Sequence, residues 1–234
     1  GGAGVLADIK TIEAHKVYGL GVITANTFQN DNEFVGADWI PVEKILEQIG
    51  VLHKRFSFEH IKIGLIESLE VLKRIVEHCL LLTASCRLIW DPVMKASAGL
   101  EFHKEMDRNL LEKVLSKIYL ITPNADEAKI LGRKNSAEES AMQLSKYCNV
   151  LLKGGHREDK KGYDTLYMKE GKQFSFRPKE KNIFPKHGSG CVLSSAVAAN
   201  LAKGEELQRA CLMGKEYTER VLISNQSLLA YHKL

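Results

Sequence analysis

The sequence predicts an α/β fold: three layers, α/β/α, around a mostly parallel central sheet with a β-hairpin at its edge. Three observations carry this. Short β-rich apolar runs alternate with longer segments of helical apolar spacing along most of the chain. The alternation changes once, at residues 163–178, where two β-like runs flank Glu170-Gly171 as a hairpin would. No internal repeat or low-complexity linker divides the 234 residues, a size that suits one α/β domain spanning 1–234. Repeated β-then-α units call for parallel strands, right-handed crossovers and helices on both faces.

The elements follow in order. Residues 9–14 lie in a helix, and "GLGVITAN" at 19–26 reads as a buried strand. Residues 41–55 have helical apolar spacing, with Pro41 at a first-turn position that needs no N–H. "HIKIGLI" at 60–66 is a short strand, and 68–83 is a helix with Ser68 as its N-cap. "RLIWDPV" at 87–93 is a strand stopped by Pro92. An amphipathic helix at 104–118 leads to the strand "YLITPN" at 119–124. A helix at 136–148 leads to the strand "NVLLKGG" at 149–155. After the hairpin, helices at 191–202 and 206–223 close the chain.

Composition bounds the function. Hydrophobic residues make up 44%, enough for a real core, and the +4 formal charge is spread along the chain. Nucleic-acid proteins concentrate Lys and Arg on one face, so no nucleic-acid partner is expected. Five cysteines, an odd number with no CxxC, point to a reducing compartment without disulfides or a zinc site. No apolar run reaches eighteen residues and no charged-then-apolar leader is present, so a soluble, cytoplasmic protein without a membrane partner is expected.

In parallel sheets ligands bind beyond the carboxyl ends of the strands. The residues to examine are therefore Gln29, Glu67, Asp91, Asn124, Lys153 and the Gly188 turn. In "KHGSGCVLSSAVAAN", Gly188, Ser189 and Gly190 let a ligand approach the backbone, and the helix behind them offers unpaired N–H groups and a partial positive charge. That combination suits a phosphate; a plain tight turn is the alternative. Cys191 sits at the first turn, where the helix field and any neighbouring Lys or His favour thiolate. The other cysteines read as small buried hydrophobes. Asp91, at a strand end, suits Mg²⁺ held through water, or a turn. Asn124 and Glu127 are one helical turn apart, facing one site or merely capping a helix. Lys153 either snorkels to solvent or neutralises phosphate. Gln29 suits hydrogen bonding to a flat heterocycle.

In order along the chain, "GGAGVLADIKT", "VITANTFQN", "IKIGLI", "DPVM", "ITPNADEA", "LLKGGH" and "HGSGCVLSSAVAANLAKG" closely resemble the hydroxymethylpyrimidine/phosphomethylpyrimidine kinases of thiamine biosynthesis, members of the ribokinase-like superfamily. The resemblance covers nearly the whole chain. "HGSGC" and "DPVM" are its most specific segments, because most sugar kinases of the superfamily have aspartate at the position of Cys191. It implies ATP and Mg²⁺ as cofactors, a small pyrimidine as substrate and a homodimer. Gly188, Ser189, Gly190 and Cys191 would form the anion hole, with Cys191 in the base position. Asn124, Glu127 and Lys153 would serve the nucleotide phosphates, with Glu127 and Asp91 on the metal. Gln29 would read the pyrimidine, Leu65 would pack near it where relatives often have methionine, and Gly2 and Ala3 would lie beside it.

Two departures stand out. Relatives have a strand before "GGAG" that ends in an aspartate contacting the pyrimidine, so the resemblance implies a longer natural chain. The link from Gly132 to Ala137 is also short for the family. Two other activities remain open: a pyridoxal kinase, since some share the cysteine-bearing pattern, and a non-catalytic pyrimidine sensor, which would have no need of a phosphoryl anion hole. The segment "KASAGLEF" at 95–102 is expected to act as a flap over the site.

Overall fold

The computed structural model describes residues 2–93, 106–155, 162–180 and 182–232. The flap expected at 95–102 lies outside them. The chain opens with α1 (Gly4–Ala14), followed by a separate antiparallel pair, β1 (Ala25–Gln29) and β2 (Phe34–Trp39). Next come α2 (Val42–His53), β3 (His60–Ile63), α3 (Leu69–Leu82) and β4 (Arg87–Trp90). They are followed by α4 (Arg108–Leu115), β5 (Leu120–Ile121), α5 (Ala125–Gly132), α6 (Ala137–Leu144) and β6 (Asn149–Leu152). The hairpin β7 (Asp164–Tyr167) and β8 (Gln173–Phe176) precedes α7 (Ser189–Ala202) and α8 (Leu207–Leu222).

The main sheet has the order β3-β4-β5-β6-β7-β8. Neighbouring strands from β3 through β6 are parallel, and β6-β7 and β7-β8 are antiparallel. Alternation along each strand divides the core in two. Leu88 and Trp90 of β4 join Ile63, Ile121, Val150 and Leu152 in a layer with α2, α3, α4, α5 and α6. Ile89, between them, joins Leu120, Leu151 and Leu166 against α7 and α8. Residues 192–201 of α7 are all buried, with Ser194, Ser195 and Asn200 as the polar members among small and apolar residues.

The expected cap at Ser68 is present, and Asp107 and Ser136 cap two further helices. The Ser68 hydroxyl accepts from the Val71 N–H at 3.2 Å, Asp107 caps α4, and Ser136 accepts from Glu139. Gly171 takes φ +89 in the hairpin turn, a conformation only glycine adopts without strain.

The buried strand expected at 19–26 is not found. Residues 19–23 have no regular structure, and the strand starts at Ala25, paired only with β2 and half exposed. A β-rich run needs a sheet neighbour to supply its ladder hydrogen bonds, and none of the six main strands pairs with this one. The partner strand β2, "FVGADW", was not anticipated; Gly36 and Asp38 interrupt its apolar pattern. Helix α4 begins at Arg108, because the Asp107 carboxylate takes the Asn109 and Leu110 N–H groups and fixes the start there.

Candidate active site

Strands β4, β5 and β6 end side by side, and their next residues build a buried polar cluster. Asp91 is 1% exposed. Its Oδ1 accepts from Lys153 Nζ at 2.8 Å and from the Thr122 hydroxyl at 2.9 Å, and its Oδ2 accepts from the Ser194 hydroxyl of α7 at 3.2 Å. Lys153 Nζ lies 3.8 Å from Glu127 Oε2. The Lys153 N–H donates to the Pro123 carbonyl, which ties β6 to the entry of α5. Asn124 and Glu127 form a reciprocal capping box, each side chain accepting the other's backbone N–H. The capping and site roles therefore coexist: the cap holds the carboxylate where it faces Lys153.

On the other side, two helix N-termini meet. Gly188, N-cap of α7, has φ +80, and a Cβ on it would sit 2.0 Å from the Gly2 carbonyl oxygen. Gly2 and Ala3 thus pack directly on the Gly188 turn, at the entry of α1. The Gly4 backbone favours the ionised form of the Cys191 thiol. His187 N–H donates to the Leu228 carbonyl, so the C-terminal segment backs the turn. A Cβ on Gly190 would lie 3.3 Å from Lys153 Nζ and 3.8 Å from Asp91 Oδ2. The glycine turn and the strand-end cluster are therefore one continuous site.

Sequence reasoning overlooked five members of it. Lys62 of β3 is buried and donates to Asp8 of α1 at 2.9 and 3.0 Å. Asp8 Oδ1 also accepts from the Ser195 hydroxyl at 2.7 Å. The register pairs Lys62 with Ile89, on the face covered by α7. Its signal in the sequence is a lysine inside the apolar run "HIKIGLI", away from a strand end. Thr122 and Ser194 complete the set.

Gln29 and Leu65 hydrogen-bond to residues outside the cluster. Gln29 ends β1, exposed, and its amide donates to Thr27 at 2.9 Å. Leu65 is half-buried after β3, and its carbonyl accepts from Thr24 at the root of β1. Glu67 is exposed.

The charges decide which groups are ionised. Burial works against the Asp91 carboxylate, but Lys153 and Lys62 outweigh it and hold Asp91 below the usual range. Burial would also lower Lys62 and Lys153; the surrounding carboxylates raise both instead, so both stay charged. Burial pushes Glu127 up to about 7, Lys153 pulls it down, and Asp91 adds to the rise. Cys191 runs against expectation. Burial pushes its thiol up, Lys62 pulls it down, and Asp8 and Asp91 push it up again. The helix N-terminus does not make it a thiolate, because burial disfavours the charge and two carboxylates share its surroundings.

Among the described residues no group of three or more His, Cys, Asp or Glu is arranged to hold a metal. Asp91 and Glu127 nevertheless fit Mg²⁺, which takes one or two carboxylates and completes its shell with water and phosphate. Two carboxylates share one ammonium here, and Glu127, raised chiefly by burial and further by Asp91, sits where a cation would favour its charged form.

Comparisons with known proteins bear on the family of the chain. The sequence matches the family model described as phosphomethylpyrimidine kinase over residues 1–233. The chain belongs to the phosphomethylpyrimidine kinase family. It is 32% identical over 240 residues to a hydroxymethylpyrimidine/phosphomethylpyrimidine kinase of Aquifex aeolicus, covering 97% of this chain and 92% of that protein. The crystal structure of phosphomethylpyrimidine kinase from Clostridium difficile 630 superposes with a TM-score of 0.75 at 30% identity, covering 93% of this chain and 92% of the other. A pyridoxal kinase from Staphylococcus aureus in complex with AMP-PCP superposes with a TM-score of 0.78 at 25% identity, covering 94% and 83%. Members of this family are phosphotransferases of ribokinase-like fold, and so is this chain. No helix among the described residues is long and apolar enough to cross a membrane.

Glu127 gives the free protein a pH signature. Its pKa rises from 4.5 to about 7 on folding, so the native state binds the proton more tightly. The stability linked to this group is fully present below about pH 4.5 and is lost as pH rises through 7, a change of about 3 kcal/mol at most. Glu127→Gln keeps an acceptor for the Asn124 N–H and should remove this slope. Burial lowers His15, His60, His187 and His232, which bend the curve the opposite way, so the difference between wild type and variant is what isolates Glu127. Urea unfolding of both proteins from pH 5 to 8 measures it; parallel curves would mean Glu127 titrates normally.

Proposed function

We propose that the chain transfers the γ-phosphoryl group of ATP to hydroxymethylpyrimidine and to its monophosphate, producing the diphosphate for thiamine biosynthesis. One observation carries this reading: the α7 N-terminus at Gly188–Cys191 faces Lys153 and Asp91 across the Gly190 backbone. An anion hole and a phosphate-neutralising lysine thus share one site. Kinases that it resembles are named for such substrates.

Phosphoryl transfer asks mainly for positioning and charge stabilisation. Backbone N–H groups at Gly188, Ser189, Gly190 and Cys191 would bind the oxygens of the transferred group. Each such donor is typically worth ~3–4 kcal/mol in sites of this kind. Lys153, held by Asp91, would neutralise the nucleotide phosphates. Asn124 fixes Glu127 through the capping box. Asp91 and Glu127 would hold Mg²⁺, which supplies charge neutralisation at phosphate oxygens. We assign Gln29, Leu65, Gly2 and Ala3 to the pyrimidine side. The reading takes 1–234 as one kinase domain working in the cytoplasm as a homodimer, which sedimentation would test.

The two acceptors differ in what they ask of Cys191. A hydroxymethyl oxygen must lose a proton as its bond to phosphorus forms and the γ-phosphate's bond to ADP breaks. A phosphate monoester is already ionised and needs no base. Cys191→Ser should therefore slow transfer to the hydroxymethyl group by about 10²-fold and leave transfer to the monophosphate nearly unchanged. Because the thiol is raised, the rising limb of the first reaction's pH–rate profile should fall above the free-thiol value of about 8.5. Equal effects on both steps would leave Cys191 a packing residue.

The structural likeness to a pyridoxal kinase supports a second reading, in which pyridoxal is the acceptor. ADP release with ATP, Mg²⁺ and either hydroxymethylpyrimidine, its monophosphate or pyridoxal tests both. Turnover on pyridoxal alone would overturn the first reading, and no turnover on any acceptor would leave the pyrimidine-sensor alternative.

A further inference from the structure

A second buried ionic group lies beside the site, on the α8 side of β7. Lys215 of α8 is 6% exposed and Asp164 of β7 is 7% exposed. Lys215 Nζ lies 3.2 Å from Asp164 Oδ2 and 3.1 Å from Glu219 Oε1, and it donates to the Gly162 carbonyl. Asp164 Oδ1 accepts the Gly154 N–H at 2.8 Å, and the Gly162 N–H donates to the Gly154 carbonyl at 2.8 Å. Both peptide groups of Gly154 are therefore fixed, one by Asp164 and one by Gly162, and Lys215 holds both of those partners. A Cβ on Gly154 would lie 1.8 Å from the Tyr163 carbonyl oxygen, so the two strands of chain are pressed together at this point.

Gly154 directly follows Lys153. Since Lys153 N–H is anchored to Pro123, fixing Gly154 clamps the lysine's backbone from both sides. An α-carbon held in this way limits where the ammonium can go, and its place between Asp91 and Glu127 follows. Glu219 spends its other oxygen differently, on the Lys179 and Glu180 N–H groups at 2.9 and 3.3 Å. That arm steadies a surface turn and does not touch Gly154.

We propose that Lys215 is a positioning residue for ATP. Through Asp164 it fixes the Gly154 peptide, and so sets Lys153 against the nucleotide phosphates. This rests on the kinase reading above and assigns a role to an ionic group that the phosphoryl-transfer chemistry does not otherwise use.

The test compares Lys215→Met, Asp164→Asn and Glu219→Gln in the full chain, well below each variant's melting temperature. Rates are expressed per folded molecule, and ADP binding is followed by thermal shift. Lys215→Met should lower kcat/KM for ATP at least tenfold while KM for the acceptor changes less than twofold. Asp164→Asn keeps an acceptor for the Gly154 N–H and should lie between wild type and Lys215→Met. Glu219→Gln should lower the melting temperature without moving the ATP parameters. If Lys215→Met does not fold, Asp164→Asn against Glu219→Gln carries the comparison. ATP parameters that stay at wild-type values in Lys215→Met and Asp164→Asn, or that move equally in Glu219→Gln, overturn the proposal. A wild-type chain that neither binds ADP nor releases it overturns the kinase reading beneath.

Discussion

Lys153→Met is expected to lower kcat by about 10³ and to destabilise the protein by about 3–5 kcal/mol. The two losses have different origins. Lys153 Nζ is 2.8 Å from Asp91, which is buried and retains only two hydroxyl donors and the more distant Lys62 when the lysine is gone. Removing one partner of a buried pair leaves an uncompensated charge, and that accounts for the stability loss. The activity loss comes from the phosphates, which lose their neutralising ammonium. The double variant Lys153→Met/Asp91→Asn separates them. It removes the orphaned charge, so urea unfolding should show most of the stability restored, while ADP release should stay near the level of the single variant. Recovery of activity together with stability would reduce Lys153 to a structural partner of Asp91.

The parallel sheet was legible because its strands are buried on both faces and read as apolar runs with clear ends. Ser68, Pro92 and the Glu170-Gly171 turn marked boundaries through local chemistry, which a sequence displays directly. The 19–26 run was misread because a strand is completed by its neighbour, and pairing is not written in the run itself. The site shows the same division. Asp91, Asn124, Glu127, Lys153 and Gly188 each end or begin an element, so topology alone brings them together. Lys62 and Asp8 lie inside elements, and only the register of β3 beside β4, with α1 packed on α7, makes them a pair. The Cys191 thiol was misjudged for a related reason. The helix N-terminus was visible in sequence, whereas the burial of the thiol, and the carboxylates of Asp8 and Asp91 that reach it from two other elements, were not.

Gly188→Ala is expected to cost about 2–5 kcal/mol of stability and at least about 10² in kcat. The turn holds φ +80, which alanine adopts only with strain. The added methyl would also stand 2.0 Å from the Gly2 carbonyl oxygen and 2.7 Å from the Ala3 α-carbon. These are backbone atoms and cannot rotate aside, so the entry of α1 must move off the entry of α7. That movement turns the anion-hole N–H groups from the direction they share. Gly204→Ala supplies the control, because Gly204 has φ +89 with open space around it. It should show the strain of the left-handed conformation alone, near 1 kcal/mol, with unchanged turnover. The excess in Gly188→Ala then measures the contact between the two helix ends. If Gly188→Ala unfolds no more easily than Gly204→Ala and keeps its turnover within about threefold, the helix ends are not locked together and the hole forms without α1. If both excesses appear, the flexible turn is glycine because a second helix end must fit against it, and the same close fit aims the N–H groups at the phosphoryl group.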